Sequence, residues 1–414
     1  MISDPYATAE QLGLMRGFPP PPEKRVTRAN ALMTPPYNRW SYQHMRTIYP
    51  SAPVPSAERA APLTVESDAG IPSLEVARAE GGVIDFDGYL RESYTDALVV
   101  VTPDRVVHAS LLNGMGPRQP HQMMSATKSF AGLLGLMAVA DGLVSESDPV
   151  TRHVPELAGA TAFADATFGH VLDMVNSMAF DEDYADPASG IIRYGQALGW
   201  LESPAGGPPA DSLYDFLATL EKDPTVEHGQ VFHYQTPKTD VVNWITNRAT
   251  GRSFQDALHD RLWSRLGTDG ETYVLLDRNG TLVAGGGLNA GPWDLARFAM
   301  MLLNDGVAAG ERVVAPAVID TIAAGASREA FAAGPDATGP FAGGDWSYRA
   351  QWWVRHTPGR EAFTAIGIHG QWIYVDRAHG VAIVKQSSQP VSLDLGLDAL
   401  NLNAYDAIID HLST

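Results

Sequence analysis

Short runs of hydrophobic residues, separated by turn residues, occur towards both ends of the chain. Residues 97–101 and 106–109 are β-branched and apolar around Thr102-Pro103-Asp104-Arg105, which predicts a hairpin. Two more strand pairs are predicted later in the chain, around polar turns. They comprise residues 272–276 with 281–284, and residues 371–375 with 381–385.

The middle of the chain follows a helical period instead. Residues 130–140 are apolar almost all round, which predicts a buried helix ending near Gly142. Thr167 is an N-cap candidate for a helix through Met174, and residues 240–250 precede Gly251, a C-terminal helix signal. Residues 391–412 predict a closing helix.

This order of elements predicts an α/β (α+β) fold in which both parts of the chain build one antiparallel sheet, flanked by helices and with an all-helical lobe inserted. The predicted sheet lobe comprises residues 61–125 and 271–414, and the helical lobe residues 126–270. The active site is expected in the cleft between them. Residues 1–60, rich in proline, are expected to form an arm packed on the body; a polyproline ligand for a partner is the alternative.

Composition narrows the classes of function. The 414 residues carry a formal charge of −19 and include no cysteine, which excludes disulfide scaffolds, zinc-thiolate modules and cysteine nucleophiles. The acidity argues against nucleic acid or an anionic membrane as partner. Met1 to Pro5 show no signal-peptide pattern and residues 130–140 are too short to span a bilayer, so a cytoplasmic location is expected.

The sharpest local motif is Ser125-Ala126-Thr127-Lys128 at the start of the apolar helix. Residues three apart share a helix face, so Lys128 could remove the proton of Ser125 once burial has lowered its pKa. The alternative is an N-cap serine followed by a surface lysine. The chain has only five lysines, and a solvated one is unexpected in so apolar a helix.

Two other segments could complete such a site. Tyr234, just before the Asp240 helix, could relay a proton to a leaving group, or be a core aromatic residue with a satisfied hydroxyl. Glycines surround Ile368 and His369 at a strand entry, where a backbone N–H could face an oxyanion; a tight corner between edge strands is equally compatible.

Competing motifs fit less well. No Gly-x-Ser-x-Gly elbow is present. Residues 285–290 imitate part of a dinucleotide fingerprint without a parallel βαβ unit around it. Residues 181–186 are acidic but lack the ligand and glycine that an EF-hand needs at positions five and six, so a solvated loop is expected.

In this order and spacing, the three motifs resemble those of the serine β-lactamase and penicillin-binding-protein superfamily. Within its class C-like branch, the chain is similar to the 6-aminohexanoate-dimer hydrolases. The matching stretches span about residues 35–390 and comprise residues 35–40, 94–97, 154–159, 182–189, 351–353 and 367–371.

The resemblance implies a β-lactamase/DD-peptidase-like fold and hydrolysis of small linear amides or short carboxylic esters through an acyl-serine, with no cofactor or metal. It implies that Ser125 is the nucleophile, Lys128 its base and Tyr234 the proton relay, with the N–H groups of Ser125 and Ile368 as oxyanion hole. The substrate-binding residues that it implies are Tyr184, Trp353, Gly285 and His369. A homodimer is also plausible from the family.

Three departures from the family pattern bear on substrate. The family's Tyr-x-Asn or Tyr-x-Ser motif has Thr236 at its third position here, which keeps a hydroxyl but adds a methyl group. Ile368-His369-Gly370 stands where many β-lactamases have a Lys-Thr-Gly motif, which argues against strong recognition of a β-lactam. Gly195 and Gly285 offer no side-chain donor or acceptor for an ω-amino amide. A DD-peptidase or β-lactamase of the same fold and a catalytically silent binding module remain as alternatives.

Overall fold

The computed structural model describes residues 4–414, so that Met1 to Ser3, part of the segment used for the signal-peptide prediction, lie outside the described residues. The strands, numbered in chain order, are β1 Ser51–Val54, β2 Glu75–Ala77, β3 Val83–Asp85, β4 Thr95–Val101, β5 Val106–Leu111, β6 His121–Gln122, β7 Thr272–Leu275, β8 Leu288–Ala290, β9 Val307–Ala308, β10 Glu311–Arg312, β11 Trp346–Arg349, β12 Trp352–Arg355, β13 Ala362–Gly367, β14 Gln371–Asp376 and β15 Val381–Ser387.

The α-helices, also in chain order, are α1 Asn38–Ser41, α2 Phe86–Glu92, α3 Thr127–Ala140, α4 Val150–His153, α5 Phe168–Leu172, α6 Gly190–Leu198, α7 Leu213–Leu217, α8 Pro237–Thr250, α9 Phe254–Leu258, α10 Ser264–Leu266, α11 Pro292–Leu303, α12 Pro316–Ala324, α13 Arg328–Ala332 and α14 Leu395–Leu412.

A seven-stranded antiparallel sheet forms the centre, in the order β11-β12-β13-β14-β15-β4-β5. Alternate residues of its strands point to opposite faces. Val99, Ile373 and Val384 join the core beneath α3 and α11, whereas Val100 and Tyr374 join the core beneath α14. The sheet is therefore covered by helices on both faces, which confirms the predicted fold class.

The hairpins β4–β5 and β14–β15 form as predicted, and α3 is buried almost throughout. Thr167 caps α5, and Gly251 ends α8 in the left-handed conformation. The closing helix α14 begins at Leu395 because the Asp394 carboxylate accepts the N–H groups of Gly396 and Leu397.

The predicted pairing of residues 272–276 with 281–284 is wrong apart from one bridge, between Leu276 and Leu282. The Asp277 carboxylate accepts the N–H groups of Asn279 and Thr281, which folds the segment into a turn. Strand β7 pairs instead with β1 and β8, and β6 completes a second, four-stranded sheet. The prediction of a single sheet missed this second one.

The proline-rich segment packs on the body, and part of it becomes β1. Tyr42 is fully buried, and Arg39 donates to the buried carboxylate of Asp96 at 2.9 Å and to Ser388 Oγ at 2.9 Å. Leu32 and Met33 from this segment line the cavity beside Ser125. The arm is thus a wall of the candidate site.

Candidate active site

Ser125 lies on the 3₁₀ turn Met124–Ala126 that leads directly into α3. Met124 has a φ of 47°, a conformation that costs a non-glycine residue free energy and is often found at functional sites. Strand β13 ends against this turn at Gly367, where a Cβ would collide with the Met123 carbonyl oxygen. The glycine therefore permits the close approach of β13 to the turn of Ser125.

Lys128 is adjacent to Ser125 in space as well as in sequence. Its Nζ lies 2.8 Å from Ser125 Oγ and donates to the carbonyl oxygen of Gly285 at 2.6 Å. The side chain is 1% exposed, and burial lowers its pKa to about 8 although the carboxylates of Glu182 and Asp240 oppose the shift. A neutral amine, able to accept a proton, is thus accessible near neutral pH.

Tyr234 lies beside both Ser125 and Lys128, and the Nζ of Lys128 is 5.1 Å from the centre of the tyrosine ring. The ring stacks on Trp353 at 5.5 Å, and the Tyr234 N–H donates to Asp336 Oδ2 at 2.8 Å. Burial and the nearby Glu182 raise the pKa of Tyr234 well above 10, and its interaction with Ser125 offsets only part of that rise. The residue is therefore a neutral phenol, a proton donor.

Ile368 directly follows β13 and lines the same cavities as Ser125. Its N–H donates to no residue within 4–414. His369, by contrast, is 1% exposed, bonds through Nδ1 to the Gln389 carbonyl oxygen and lines neither cavity. Burial lowers its pKa to about 4, so the structure places it as a neutral packing residue behind the site.

Two carboxylates behind the lysine were not singled out as site residues from the sequence. Asp240 Oδ2 accepts from the Tyr194 hydroxyl at 2.7 Å, and Oδ1 accepts from the Gly285 N–H at 3.0 Å. Burial raises the pKa of Asp240 to about 6. Since Gly285 supplies the carbonyl that holds Lys128, Asp240 fixes the loop that positions this lysine.

Glu182 is the second such carboxylate, and it is the exception in an acidic loop whose other carboxylates, Asp181, Asp183 and Asp186, are exposed as predicted. It accepts from the Tyr184 hydroxyl at 3.3 Å and from the Thr236 N–H, and burial raises its pKa. The composition of residues 181–186 gave no sign of which carboxylate turns inward. Its distance of more than 50 residues from Lys128 and from Thr236 explains why local motifs did not find it.

Gly285 is packed closely against Thr236, whereas Gly195 is packed against Leu201. A Cβ at Gly285 would lie 2.7 Å from Thr236 Cγ2 and 2.9 Å from the Tyr194 hydroxyl. A Cβ at Gly195 would lie 2.8 Å from Leu201 Cδ1. The methyl group of Thr236 thus takes up space that a side chain at position 285 would need.

Two cavities meet at Ser125, Tyr184 and Ile368. The first, of about 550 Å³, is called the apolar cavity, and its other lining residues include Leu32, Met33, Ile191, Trp200, Leu201 and Gly285. The second, of about 700 Å³, is called the acidic cavity, and its other lining residues include Glu182, Tyr234, Asp336, Trp353, Gln389 and Asp398. A ligand whose carbonyl group lies at Ser125 would extend into both cavities.

Across residues 4–414, no helix is long and apolar enough to cross a membrane, and no three His, Asp or Glu side chains converge as metal ligands.

A family model described as Beta-lactamase matches residues 86–405. The 6-aminohexanoate-dimer hydrolase of Paenarthrobacter ureafaciens is 34% identical over 355 residues, which are 86% of each chain. The solved structure of a Bacillus anthracis protein, provisionally given the same name, has a TM-score of 0.84 at 28% identity and covers 94% of this chain and 97% of its own. A family VIII carboxylesterase, at 14% identity and a TM-score of 0.55 over 77% of this chain and 96% of its own, shares the fold.

Proposed function

This chain belongs to the β-lactamase family and is a hydrolase, and from that membership we propose that it cleaves small linear amides or short carboxylic esters through an acyl-serine intermediate. The observation that carries the proposal is the buried contact of Lys128 Nζ with Ser125 Oγ at 2.8 Å. This contact supports the proposal because a serine that is activated without histidine needs a neighbouring base of lowered pKa.

In the proposed reaction, Ser125 Oγ attacks the substrate carbonyl while Lys128 takes its proton. The N–H groups of Ser125 and Ile368 hold the oxyanion that develops. The bond to the leaving nitrogen or oxygen then breaks as Tyr234 delivers a proton to it, and Lys128 replaces the proton on the phenol. Water releases the acyl group by the same steps in reverse.

The proton donor also sets the direction of the substrate. Tyr234 lines the acidic cavity and not the apolar one. Since the leaving atom must meet its proton donor, the leaving half of the substrate lies in the acidic cavity and the acyl half in the apolar cavity. Tyr184, which lines both, would contact the scissile bond, and Trp353 would contact the leaving half.

Two substrate types compete within this proposal. The curated relative is named for hydrolysis of the 6-aminohexanoate dimer, which supports a short linear amide. Gly195 and Gly285 offer no side-chain hydrogen bond to such an amide from the apolar cavity, which favours a short ester. Comparing p-nitrophenyl acyl esters, the 6-aminohexanoate dimer and nitrocefin as substrates separates these types and also tests the β-lactamase alternative.

Replacement of the nucleophile tests the proposal itself. Ser125→Ala should abolish turnover of every substrate in that comparison and prevent labelling by a fluorophosphonate probe. Ser129→Ala is the matched control, because Ser129 lies one turn along α3 and bonds to the Gln351 carbonyl oxygen, away from Lys128. Labelling that persists in Ser125→Ala would refute the assignment, and wild-type protein that does not label would favour the silent binding module.

A further inference from the structure

Asp398 is a buried carboxylate without a partner. It lies in the first turn of α14, is 6% exposed and lines the acidic cavity. Among residues 4–414 its carboxylate accepts no hydrogen bond and forms no ion pair. Burial without a partner raises its pKa to about 7 and is costly for a carboxylate, unless a ligand supplies the missing charge or donor.

The nearest basic side chain does not supply it. Lys385 is buried, and its Nζ donates to Ser387 Oγ and to the Ser93 carbonyl oxygen, at 3.2 Å for the latter. Asp394, which faces the same carboxylate, is acidic and caps α14. The carboxylate of Asp398 thus has an acidic neighbour at the start of its own helix, and the nearby lysine, Lys385, is already hydrogen-bonded to other groups.

The rest of the acidic cavity suits a cation. Among the described residues, the other two carboxylates that line it, those of Glu182 and Asp336, are already hydrogen-bonded to protein N–H or O–H groups, and no lysine or arginine lines it. The stacked rings of Tyr234 and Trp353 add aromatic faces, which attract organic ammonium groups. The apolar cavity, by contrast, is lined by no charged side chain.

We propose that Asp398 binds a cationic group in the leaving half of the substrate, so that the preferred substrate is an ester or amide of an apolar acid with an amino alcohol or a diamine. This inference rests on the proposed function, because the position of Tyr234 decides which cavity receives the leaving half. The 6-aminohexanoate dimer has the opposite polarity, with its ammonium in the acyl half and its carboxylate in the leaving half. It is therefore expected to be a poor substrate.

An isosteric pair of esters isolates the charge. Hexanoylcholine and 3,3-dimethylbutyl hexanoate differ only in a quaternary nitrogen or carbon. At pH 8.5 the wild-type kcat/KM should favour the choline ester by about tenfold. Asp398→Asn should reduce this ratio to about two or less, whereas Asp410→Asn, the same change on an exposed part of α14, should keep it.

Inhibition supplies a test that needs no variant. Free choline should inhibit hydrolysis of p-nitrophenyl hexanoate by the wild-type enzyme at concentrations about tenfold below those of 3,3-dimethylbutanol. Two results would overturn the role of Asp398. One is a wild-type kcat/KM ratio of hexanoylcholine to 3,3-dimethylbutyl hexanoate near one, and the other is a ratio in Asp398→Asn equal to that of the wild type. If p-nitrophenyl hexanoate forms no acyl-enzyme, the proposed function fails. If the acyl-enzyme forms but the kcat/KM ratio of the two hexanoate esters is near one, only this inference fails.

Discussion

At the scale of single residues, the chemistry proposed for Ser125 depends on a buried lysine. Among residues 4–414, no carboxylate lies within ion-pair distance of Lys128, so burial outweighs the more distant Glu182 and Asp240 and lowers the pKa of Lys128 to about 8. A base must be neutral to accept the proton of Ser125. The pH of the reaction therefore decides the fraction of enzyme that is active.

We expect kcat/KM for p-nitrophenyl hexanoate to rise with pH and to level off above a midpoint near 8. The sign follows from the base: below its pKa Lys128 is protonated and cannot accept the serine proton. A pH–rate profile from 6 to 10 measures this. A profile that is flat or falls through this range would contradict the role of Lys128.

The contact between Thr236 and Gly285 gives a second expectation. Gly285→Ala should lower kcat/KM by about tenfold or more, because its Cβ would displace the carbonyl that holds Lys128. Adding Thr236→Ser removes the methyl group 2.7 Å away and should restore part of the loss. The control is Gly286→Ala, whose Cβ would meet nothing closer than 3.8 Å.

The kcat/KM values of the wild type, Gly285→Ala, Gly286→Ala and the double variant test this prediction. If Gly285→Ala and Gly286→Ala lose the same activity, the close packing at Gly285 is not what positions the base. If the double variant is no better than Gly285→Ala, the methyl group of Thr236 is not the obstacle.

At the scale of elements, the arm of residues 4–60 is held to the sheet by a buried ion pair. Asp96 is fully buried and accepts from Arg39, His121 and Ser388. Removing Arg39 leaves that carboxylate without its cation, so Arg39→Ala should lower the free energy of unfolding by about 3–5 kcal/mol. Denaturant unfolding measures the loss.

The exposed pair of Arg16 and Glu10 supplies the control for the arm. Arg16→Ala should change the free energy of unfolding by at most about 0.5 kcal/mol, because such pairs contribute little in water. Equal effects of the two substitutions would show that burial of the Arg39 pair does not hold the arm.

Elements with a strong local pattern were predictable from the sequence, and those set by distant contacts were not. The apolar run of α3, the cap of α5 and the turns of the β4–β5 and β14–β15 hairpins are local, and all of these form. Strand β1 pairs with β7 across more than 200 residues, a contact that no local pattern indicates. The inward turn of Glu182 and the free carboxylate of Asp398 likewise depend on which elements surround them.

At the scale of the whole molecule, the chain carries a formal charge of −19, and the acidic cavity at Ser125 is itself lined by carboxylates. Such a field raises the local concentration of cationic substrates and is screened by salt. We expect kcat/KM for hexanoylcholine to fall as salt shortens the Debye length from about 30 Å to about 8 Å, while that for 3,3-dimethylbutyl hexanoate stays constant. Equal salt dependence of the two esters would contradict this steering.

In the proposed reaction, Ser125 carries the acyl group and Lys128 acts as its base. Rapid-quench intact-mass analysis with p-nitrophenyl hexanoate tests it most directly, because the adduct is observed on the protein. We expect a transient gain of one hexanoyl group, which peptide mapping locates on Ser125. This adduct should form far more slowly in Lys128→Met and be absent from Ser125→Ala. Turnover without an adduct, or an adduct that survives in Ser125→Ala, would contradict it.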